Sequence, residues 1–178
     1  MNSLISSNYV EQNKKLHDTN EQYGTNSYTR APNIIEVANW VSARSILDYG
    51  CGKAMLHSAL QARSGEFMQQ CTITNYDPAI PEFSEAPDPA DLVVCTDVLE
   101  HVEPECLSNV LTDLRRLTLK MLYLAIAIRP SSKFLPDGRN SHLIVEPASW
   151  WMPKLRGTFT PCRTSWNKHE LVTLLRPR

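Results

Sequence analysis

Short apolar runs and longer amphipathic stripes alternate along most of this chain. Runs of strand length predict strands at 45–49, 71–76, 92–95 and 121–128, and the tail, 158–166 and 171–175, has room for two further strands. Stripes with apolar residues three and four positions apart predict helices at 31–40, 54–63, 103–117 and from Pro147 onward. The run 92–95 is apolar throughout, which is typical of a strand buried on both faces of a parallel sheet.

The turn after the first predicted strand holds the most informative residues. Asp48 ends the strand, Gly50-Cys51-Gly52 follows, and the next helix begins at about Ala54. A strand, a glycine turn and a helix in this order let the backbone approach a nucleotide-like ligand closely. A carboxylate at the strand end repels phosphate and favours a cationic or hydroxyl-bearing ligand. No Gly-x-x-x-x-Gly-Lys-Ser/Thr pattern is present, which disfavours a nucleoside triphosphate site.

Three motifs together resemble a known family. The segment Leu47-Asp-Tyr-Gly-Cys-Gly-Lys53 resembles the first motif, D-x-G-x-G-x-G, of class I S-adenosylmethionine-dependent methyltransferases, with Ala54 in place of the third glycine. Asp77 ends the second strand at the distance where nucleotide-binding α/β folds hold ribose hydroxyls. The segment 96–101, Thr-Asp-Val-Leu-Glu-His, resembles the fourth-strand motif of the ubiquinone-biosynthesis type.

The resemblance implies an α/β fold with a Rossmann-like, doubly wound methyltransferase sheet. Such a sheet is mostly parallel and has an antiparallel last strand. Family members have a helix and a third strand after the second strand, but only 13 residues separate Asp77 from Asp91 here, and four are prolines. Because proline disrupts a normal helix, we expect this region to be trimmed to a loop.

The resemblance also implies a set of cofactor-binding residues. The glycine turn would hold the methionine part of S-adenosylmethionine, Asp77 the ribose, and the segment 97–99 the methyl side. The full predicted set is Asp48, Tyr49, Gly50, Cys51, Gly52, Lys53, Asp77, Pro78, Asp97, Val98, Leu99 and Tyr28.

The polar N-terminal segment is predicted to be an arm. In the family, the segment before the first strand often folds over the cofactor, so residues 1–30 are expected to form a lid with Tyr23 and Tyr28 against the ligand. Packing against the domain surface is the alternative. Residues 31–178 are expected to form a single methyltransferase domain, as the length of 178 residues suggests.

Candidate catalytic residues cluster after the fourth-strand motif. Asp97, Glu100 and His101 share a face if that turn is helical, and His142 follows a neighbouring strand. These four residues could hold a Mg²⁺ or Mn²⁺ ion, as similar residues do in the small-RNA terminal 2′-O-methyltransferases and the metal-dependent ubiquinone O-methyltransferases. In the metal-free alternative, His101 or His142 is the general-base candidate.

Composition bears on partners and location. The net charge of −1 conceals an uneven distribution of charge. Residues 77–105 contain nine acids and no Lys or Arg, whereas residues 106–178 contain twelve Lys or Arg and four acids. The basic C-terminal part could meet a nucleic-acid acceptor, or be a solvated face that balances the acidic middle. No apolar run is long enough to span a membrane, and five cysteines without paired spacing favour the cytoplasm.

We therefore predict a methyltransferase with an unidentified acceptor, and we favour oxygen. The absence of an Asn/Asp-Pro-Pro-aromatic tetrapeptide disfavours amino methylation of DNA bases, and no Pro-Cys pair follows the fourth strand, which disfavours methylation of cytosine carbon. The acceptor is either a small molecule or a macromolecule, with recognition supplied by a protein partner in the latter case. The alternative from another class is a non-catalytic S-adenosylmethionine-binding scaffold or sensor. A third hypothesis is a nicotinamide-dependent dehydrogenase. The acid after the second strand is consistent with that class, but the spacing of the glycines is not.

Overall fold

The computed structural model describes residues 3–19, 26–63 and 70–178 of the chain. Within them lie five α-helices: α1 (Ser7–Thr19), α2 (Ala31–Trp40), α3 (Met55–Ala62), α4 (Leu107–Leu117) and α5 (Ala148–Thr158). The strands are β1 (Ser45–Tyr49), β2 (Thr72–Tyr76), β3 (Ala90–Thr96), β4 (Thr118–Ala127), β5 (Phe159–Trp166) and β6 (Glu170–Pro177). Short 3₁₀ turns cover Asn26–Arg30, Pro81–Phe83, Leu99–His101 and Pro104–Cys106. Each strand and helix predicted from the apolar pattern is present, with shifts of up to a few residues at the ends.

The six strands form one sheet in the order β2-β1-β3-β4-β6-β5. The first four are parallel, whereas β6 runs antiparallel to both β4 and β5. This arrangement confirms the predicted Rossmann-like sheet with an antiparallel last strand. In the described residues, β2 is an edge strand and the chain passes from it to β3 through the proline-rich loop, which confirms the trimmed third-strand region.

Helices pack on both faces of the sheet because successive strand residues point to opposite sides. In β1, Ile46 joins the core beneath α2 and α3, while Leu47 joins the core beneath α4 and α5. The apolar stripe of α4 is buried as its spacing predicts: Leu107, Val110, Leu111, Leu114 and Leu117. Trp151, on α5, is fully buried in the same core, while its neighbour Trp150 packs at the margin with Lys154 over its ring.

The N-terminal helix α1 stands apart from these two cores. Tyr9 and Leu16 form a small apolar cluster with Leu135 from the loop after β4, and Ile5 and Leu143 pack against it. The backbone N–H of Ser6 and its hydroxyl each donate to the carboxylate of Glu103, at 2.8 and 2.7 Å. Helix α1 is therefore attached to the carboxyl-end side of the sheet. Tyr23, one of the two tyrosines expected in the lid, lies outside the described residues.

No helix in the described part of the chain is long and apolar enough to cross a membrane. All five cysteines are free thiols.

Candidate active site

The glycine turn after β1 depends on backbone conformations that favour glycine. Gly50 and Gly52 both have positive φ angles, +78° and +52°. The N–H groups of Gly50 and Cys51 donate to the carbonyl of Tyr76 at 2.7 and 3.1 Å. These bonds fix the turn against the carboxyl end of β2, so that its backbone lines the space above the sheet.

Asp77 lies beside this turn and is almost completely buried. Its Oδ2 accepts a hydrogen bond from the Gly52 N–H at 3.0 Å, and its Oδ1 accepts one from the Ala79 N–H at 2.9 Å. Each carboxylate oxygen can accept a further bond, since an ionised carboxylate offers about four acceptor positions. The side chain is therefore held in one orientation with acceptor capacity left over.

Asp97, after β3, faces a cation from the N-terminal segment. Its φ of +56° is left-handed, which is strained for a residue other than glycine. The carboxylate lies 3.9 Å from the guanidinium of Arg30, which also donates to the carboxylate of Glu170 at the start of β6. Burial raises the pKa of Asp97, and the charge of Arg30 acts in the opposite direction.

Three of the four predicted metal ligands come together. Glu100, His101 and His142 each offer one ligand atom, and these atoms lie within 4.8 Å of one another. Asp97 is not in this group: the helical turn begins only at Leu99, and the left-handed Asp97 directs its carboxylate to Arg30 instead. The two imidazole rings meet edge to face, with ring centres 4.7 Å apart.

Glu100 is completely buried in this cluster. Its Oε1 accepts a hydrogen bond from the Ala127 N–H at 2.7 Å, and its Oε2 has no hydrogen-bond partner among the described residues. Burial raises the pKa of Glu100 to about 8, and the nearby charge of Asp97 adds to the shift. A buried carboxyl with an oxygen left over is expected to carry a proton or to face a cation.

Backbone carbonyls orient the two histidines. Nδ1 of His142 lies 2.6 Å from the carbonyl of Arg129, and Nδ1 of His101 lies 2.7 Å from that of Ser141. A carbonyl only accepts, so each Nδ1 carries a proton, and in the neutral form of each ring Nε2 carries the lone pair. Burial lowers the pKa of His142, which favours its neutral form.

A cavity of about 520 Å³ lies at the carboxyl ends of β1 to β4. The glycine turn, Asp77, Asp97 and the two histidines line it. Its size is that of a small-molecule site. Leu4, Ile5, Tyr9 and Asn13, from α1 and the residues before it, contribute to the lining. The loop after β4 and the β5–β6 hairpin supply Arg129, Ser131, Ser132, Lys133, Asn167 and His169.

Ten of the predicted site residues line this cavity: Tyr49, Gly50, Cys51, Gly52, Asp77, Pro78, Asp97, Val98, His101 and His142. Five others do not. Asp48, Leu99 and Glu100 are buried behind the lining, whereas Lys53 and Tyr28 are exposed to solvent.

Asp48 occupies a position that sequence reasoning did not anticipate. It is 1% exposed, and its Oδ2 has no hydrogen-bond partner among the described residues. Burial raises the pKa of Asp48 to about 7, and the neighbouring charge of Asp77 adds to the shift. In this position the carboxyl lies beneath the turn instead of facing the cavity.

Several lining residues were not predicted, notably Arg30, Glu170, Tyr9 and Glu103. Arg30 and Glu170 are 140 positions apart, and neither belongs to a motif. A sequence signal was present only for the N-terminal segment 1–30, which was expected to form a lid and which contains Tyr9 and Arg30. The pairing of these residues follows from the tertiary fold.

Comparison with known proteins identifies the family. A family model described as a methyltransferase domain matches residues 16–176. A search of curated proteins found no match to the sequence.

Solved structures show the same fold at low sequence identity. The 1,6-didemethyltoxoflavin-N1-methyltransferase of Burkholderia thailandensis, solved with 1,6-didemethyltoxoflavin and S-adenosylhomocysteine, is 16% identical with a TM-score of 0.64, over 96% of this chain and 86% of that one. The N-methyltransferase NodS of Bradyrhizobium japonicum, solved with S-adenosylhomocysteine, is 12% identical with a TM-score of 0.63, over 95% and 98%. The magnesium protoporphyrin IX methyltransferase of Synechocystis is 18% identical with a TM-score of 0.52, over 84% of each chain.

The family model spans nearly the whole chain, from residue 16 to residue 176. The chain therefore belongs to the methyltransferase domain family, which confirms both the predicted fold and the predicted enzyme class, a class I methyltransferase.

Proposed function

We propose that this protein transfers the methyl group of S-adenosylmethionine to a hydroxyl oxygen. One observation carries the proposal: the glycine turn, Asp77 and the Asp97–Val98 segment line a single cavity together with His142. S-adenosylhomocysteine is present in the structures of the Burkholderia and Bradyrhizobium methyltransferases that share this fold. The finer assignment to the ubiquinone-biosynthesis type rests on the motif at 96–101 and is part of the proposal.

The donor half of the cavity fits the parts of this cofactor. Asp77 retains acceptor capacity on both oxygens, which suits the 2′ and 3′ hydroxyls of a ribose. Arg30 and Asp97 offer a cation and an anion side by side, which suits the carboxylate and ammonium of the methionine part. Glu170 holds Arg30 in place for that role.

The acceptor half needs a base if the acceptor is a hydroxyl. In the transfer, an oxygen lone pair forms the bond to the methyl carbon while the carbon–sulfur bond breaks and its electrons remain on sulfur. The hydroxyl proton passes to a base, for which we assign His142, since its Nε2 carries the lone pair and the ring is neutral. His101, edge to face with it, is the second candidate.

A divalent cation at Glu100, His101 and His142 is the alternative version of this site. The close approach of their ligand atoms and the unpartnered Oε2 of Glu100 support it. A Mg²⁺ or Mn²⁺ ion bound there would supply a Lewis acid that lowers the pKa of the acceptor hydroxyl. In the metal-free version, Glu100 keeps its proton and only positions Ala127 and the turn.

Calorimetric titration with S-adenosylmethionine and S-adenosylhomocysteine, with and without Mn²⁺, tests the proposal. We expect both ligands to bind with micromolar affinity. Binding should be lost in Asp77→Ala and weakened at least tenfold in Arg30→Met. Arg44→Met, away from the cavity, is the control. Metal-dependent binding that Glu100→Gln abolishes would select the metal version. Cofactor binding without methyl transfer to any acceptor would favour a non-catalytic scaffold or sensor, and no cofactor binding at all would refute the proposal.

The acceptor is either a small molecule or a nucleic acid, and a protein partner could deliver it. We also retain the cytoplasm as the proposed location because the five cysteines are unpaired thiols.

A further inference from the structure

Two segments border the acceptor half of the cavity, and we call them together the acceptor rim. They are the loop residues 129–134 and the hairpin residues 166–169. Both are fastened at the end of β4: the Ile128 N–H donates to the carbonyl of His169 at 2.9 Å, and the carbonyl of Arg129 accepts from His142 at 2.6 Å. The loop is closed further by the Ser141 N–H, which donates to the carbonyl of Lys133 at 3.0 Å. The rim is therefore an ordered surface beside the proposed base.

The rim carries cationic side chains. Arg129 and Lys133 line the cavity, and neither has an ion-pair partner in the described part of the chain. Asp97 and Glu170, in the donor half of the cavity, are both paired with Arg30, and the charge of Arg129 also acts on Asp97. Two unpaired cations at one mouth favour an anionic ligand.

The rim also exposes two aromatic rings. Phe134 is 61% and Trp166 is 64% exposed, the largest fractions among the large apolar side chains of the described residues. One ring lies on each segment of the rim, directly next to the lining residues Lys133 and Asn167. Neither ring belongs to the cavity lining, so a ligand that contacts the cavity and both rings extends beyond the mouth.

We propose that the acceptor rim binds single-stranded nucleic acid, which would make a nucleic-acid hydroxyl the acceptor. Unpaired cations that follow a phosphate backbone, combined with exposed rings on which bases stack, are the features that recognise a single strand. A small anionic acceptor would use the cations but would leave both rings in water. This proposal rests on the proposed function for the identity of the reaction, but the binding it predicts is independent of methyl transfer.

Fluorescence anisotropy with labelled 12-nucleotide single-stranded RNA and DNA, using the full-length protein, tests the proposal. We expect binding that weakens with added salt, and a loss of about tenfold or more for each of Phe134→Ala and Trp166→Ala, because stacking of one base contributes about that much. Lys133→Glu is expected to weaken binding and to reduce the salt dependence. Trp40→Ala is the matched aromatic control, since Trp40 is 55% exposed near the opposite, amino-end edge of the sheet, and Arg156→Glu is the matched charge control.

Cofactor titration on the same samples separates the two proposals. The absence of oligonucleotide binding overturns the rim proposal, and so does oligonucleotide binding that neither aromatic variant changes. If S-adenosylmethionine binding is retained in either case, the proposed function remains intact. Oligonucleotide binding that depends on the rim without cofactor binding supports the rim and overturns the function. Preference for RNA over DNA would support a ribose 2′-hydroxyl as acceptor, whereas protection of the rim by inorganic phosphate alone would identify a small-anion site and overturn the proposal.

Discussion

A Cβ atom on Gly50 would lie 2.3 Å from Cγ2 of Val98, far inside van der Waals contact. The glycine turn after β1 and the segment after β3 are therefore packed directly against each other. The sequence suggested that glycine leaves room for a ligand, and the structure shows that it also leaves room for the side chain of Val98. This contact connects the two motifs that we assign to the cofactor.

Gly50→Ala is expected to destabilise the protein by about 2–5 kcal/mol. The positive φ of Gly50 costs alanine about 1–2 kcal/mol, and the overlap with Val98 adds about 1–3 kcal/mol. Urea unfolding monitored by tryptophan fluorescence measures the change.

Gly138→Ala is the matched control, because Gly138 also has a positive φ, +87°, but no heavy atom of the described residues lies within 4 Å of the place that an added methyl group would take. It should cost only about 1–2 kcal/mol. The double variant Gly50→Ala/Val98→Ala should recover part of the loss. Equal costs for the two glycine variants would contradict the role of Val98.

Ala54→Gly is expected to stabilise the protein by about 0.5–1 kcal/mol. Ala54 stands at the N-cap of α3 with a φ of +53°, where the family motif has its third glycine. The relief of left-handed strain outweighs the extra entropy that glycine gives the unfolded chain. Thermal unfolding should show a higher Tm, and Ala59→Gly, inside the same helix, should lower it by a similar amount.

Asp48→Asn is expected to remove a pH dependence of stability. Asp48 has a pKa of about 7 in the folded protein against an ordinary value of 3.8, so between these values the unfolded chain binds fewer protons than the folded one. The free energy of unfolding contributed by this group therefore falls as the pH rises from about 4 to 7, and stays low above that. The loss has an upper limit of about 4 kcal/mol.

Urea unfolding at pH 5 and pH 8 checks this prediction. The wild type should lose stability between the two values, and Asp48→Asn should lose less, because the neutral amide has the same shape and no proton to release. The loss that remains in the variant is expected from Glu100, whose pKa is also raised by burial. Asp88→Asn, at an exposed position, should behave as the wild type does. If Asp48→Asn and the wild type have the same pH profile, the buried carboxyl is not the source.

Glu103→Ala is expected to release helix α1 without unfolding the sheet. The Glu103 carboxylate accepts both hydrogen bonds that fasten Ser6, and bonds to a charged group contribute about 1.5–3 kcal/mol each. Amide exchange over residues 7–19 should accelerate at least tenfold, while exchange in β1 and β3 should not change. Glu105→Ala, which lies exposed in the 3₁₀ turn that follows Glu103, is the control. Unchanged exchange in α1 would show that the apolar cluster alone holds the helix.

Local patterns in the sequence were enough to predict most of the sheet and part of the cavity lining. Apolar runs located the central strands β3 and β4 because a strand buried between two helical layers has little place for polar residues, and the prolines after Asp77 marked the missing third strand. Gly50, Gly52 and Asp77 could be assigned because they follow strand ends at fixed spacings, and the carboxyl ends of parallel strands share one edge.

Which side chains meet across that edge depends on the tertiary fold. The Arg30–Glu170 pair, the Ser6–Glu103 bonds and the place of Tyr9 join segments that are far apart in sequence, so no local pattern carries them. Asp97 left the expected cluster because one left-handed residue turned its carboxylate towards Arg30, and Asp48 was buried because the turn folds over it. Local spacing sets the order of strands and turns, whereas side-chain direction at a turn depends on backbone angles and long-range partners that a single sequence does not specify.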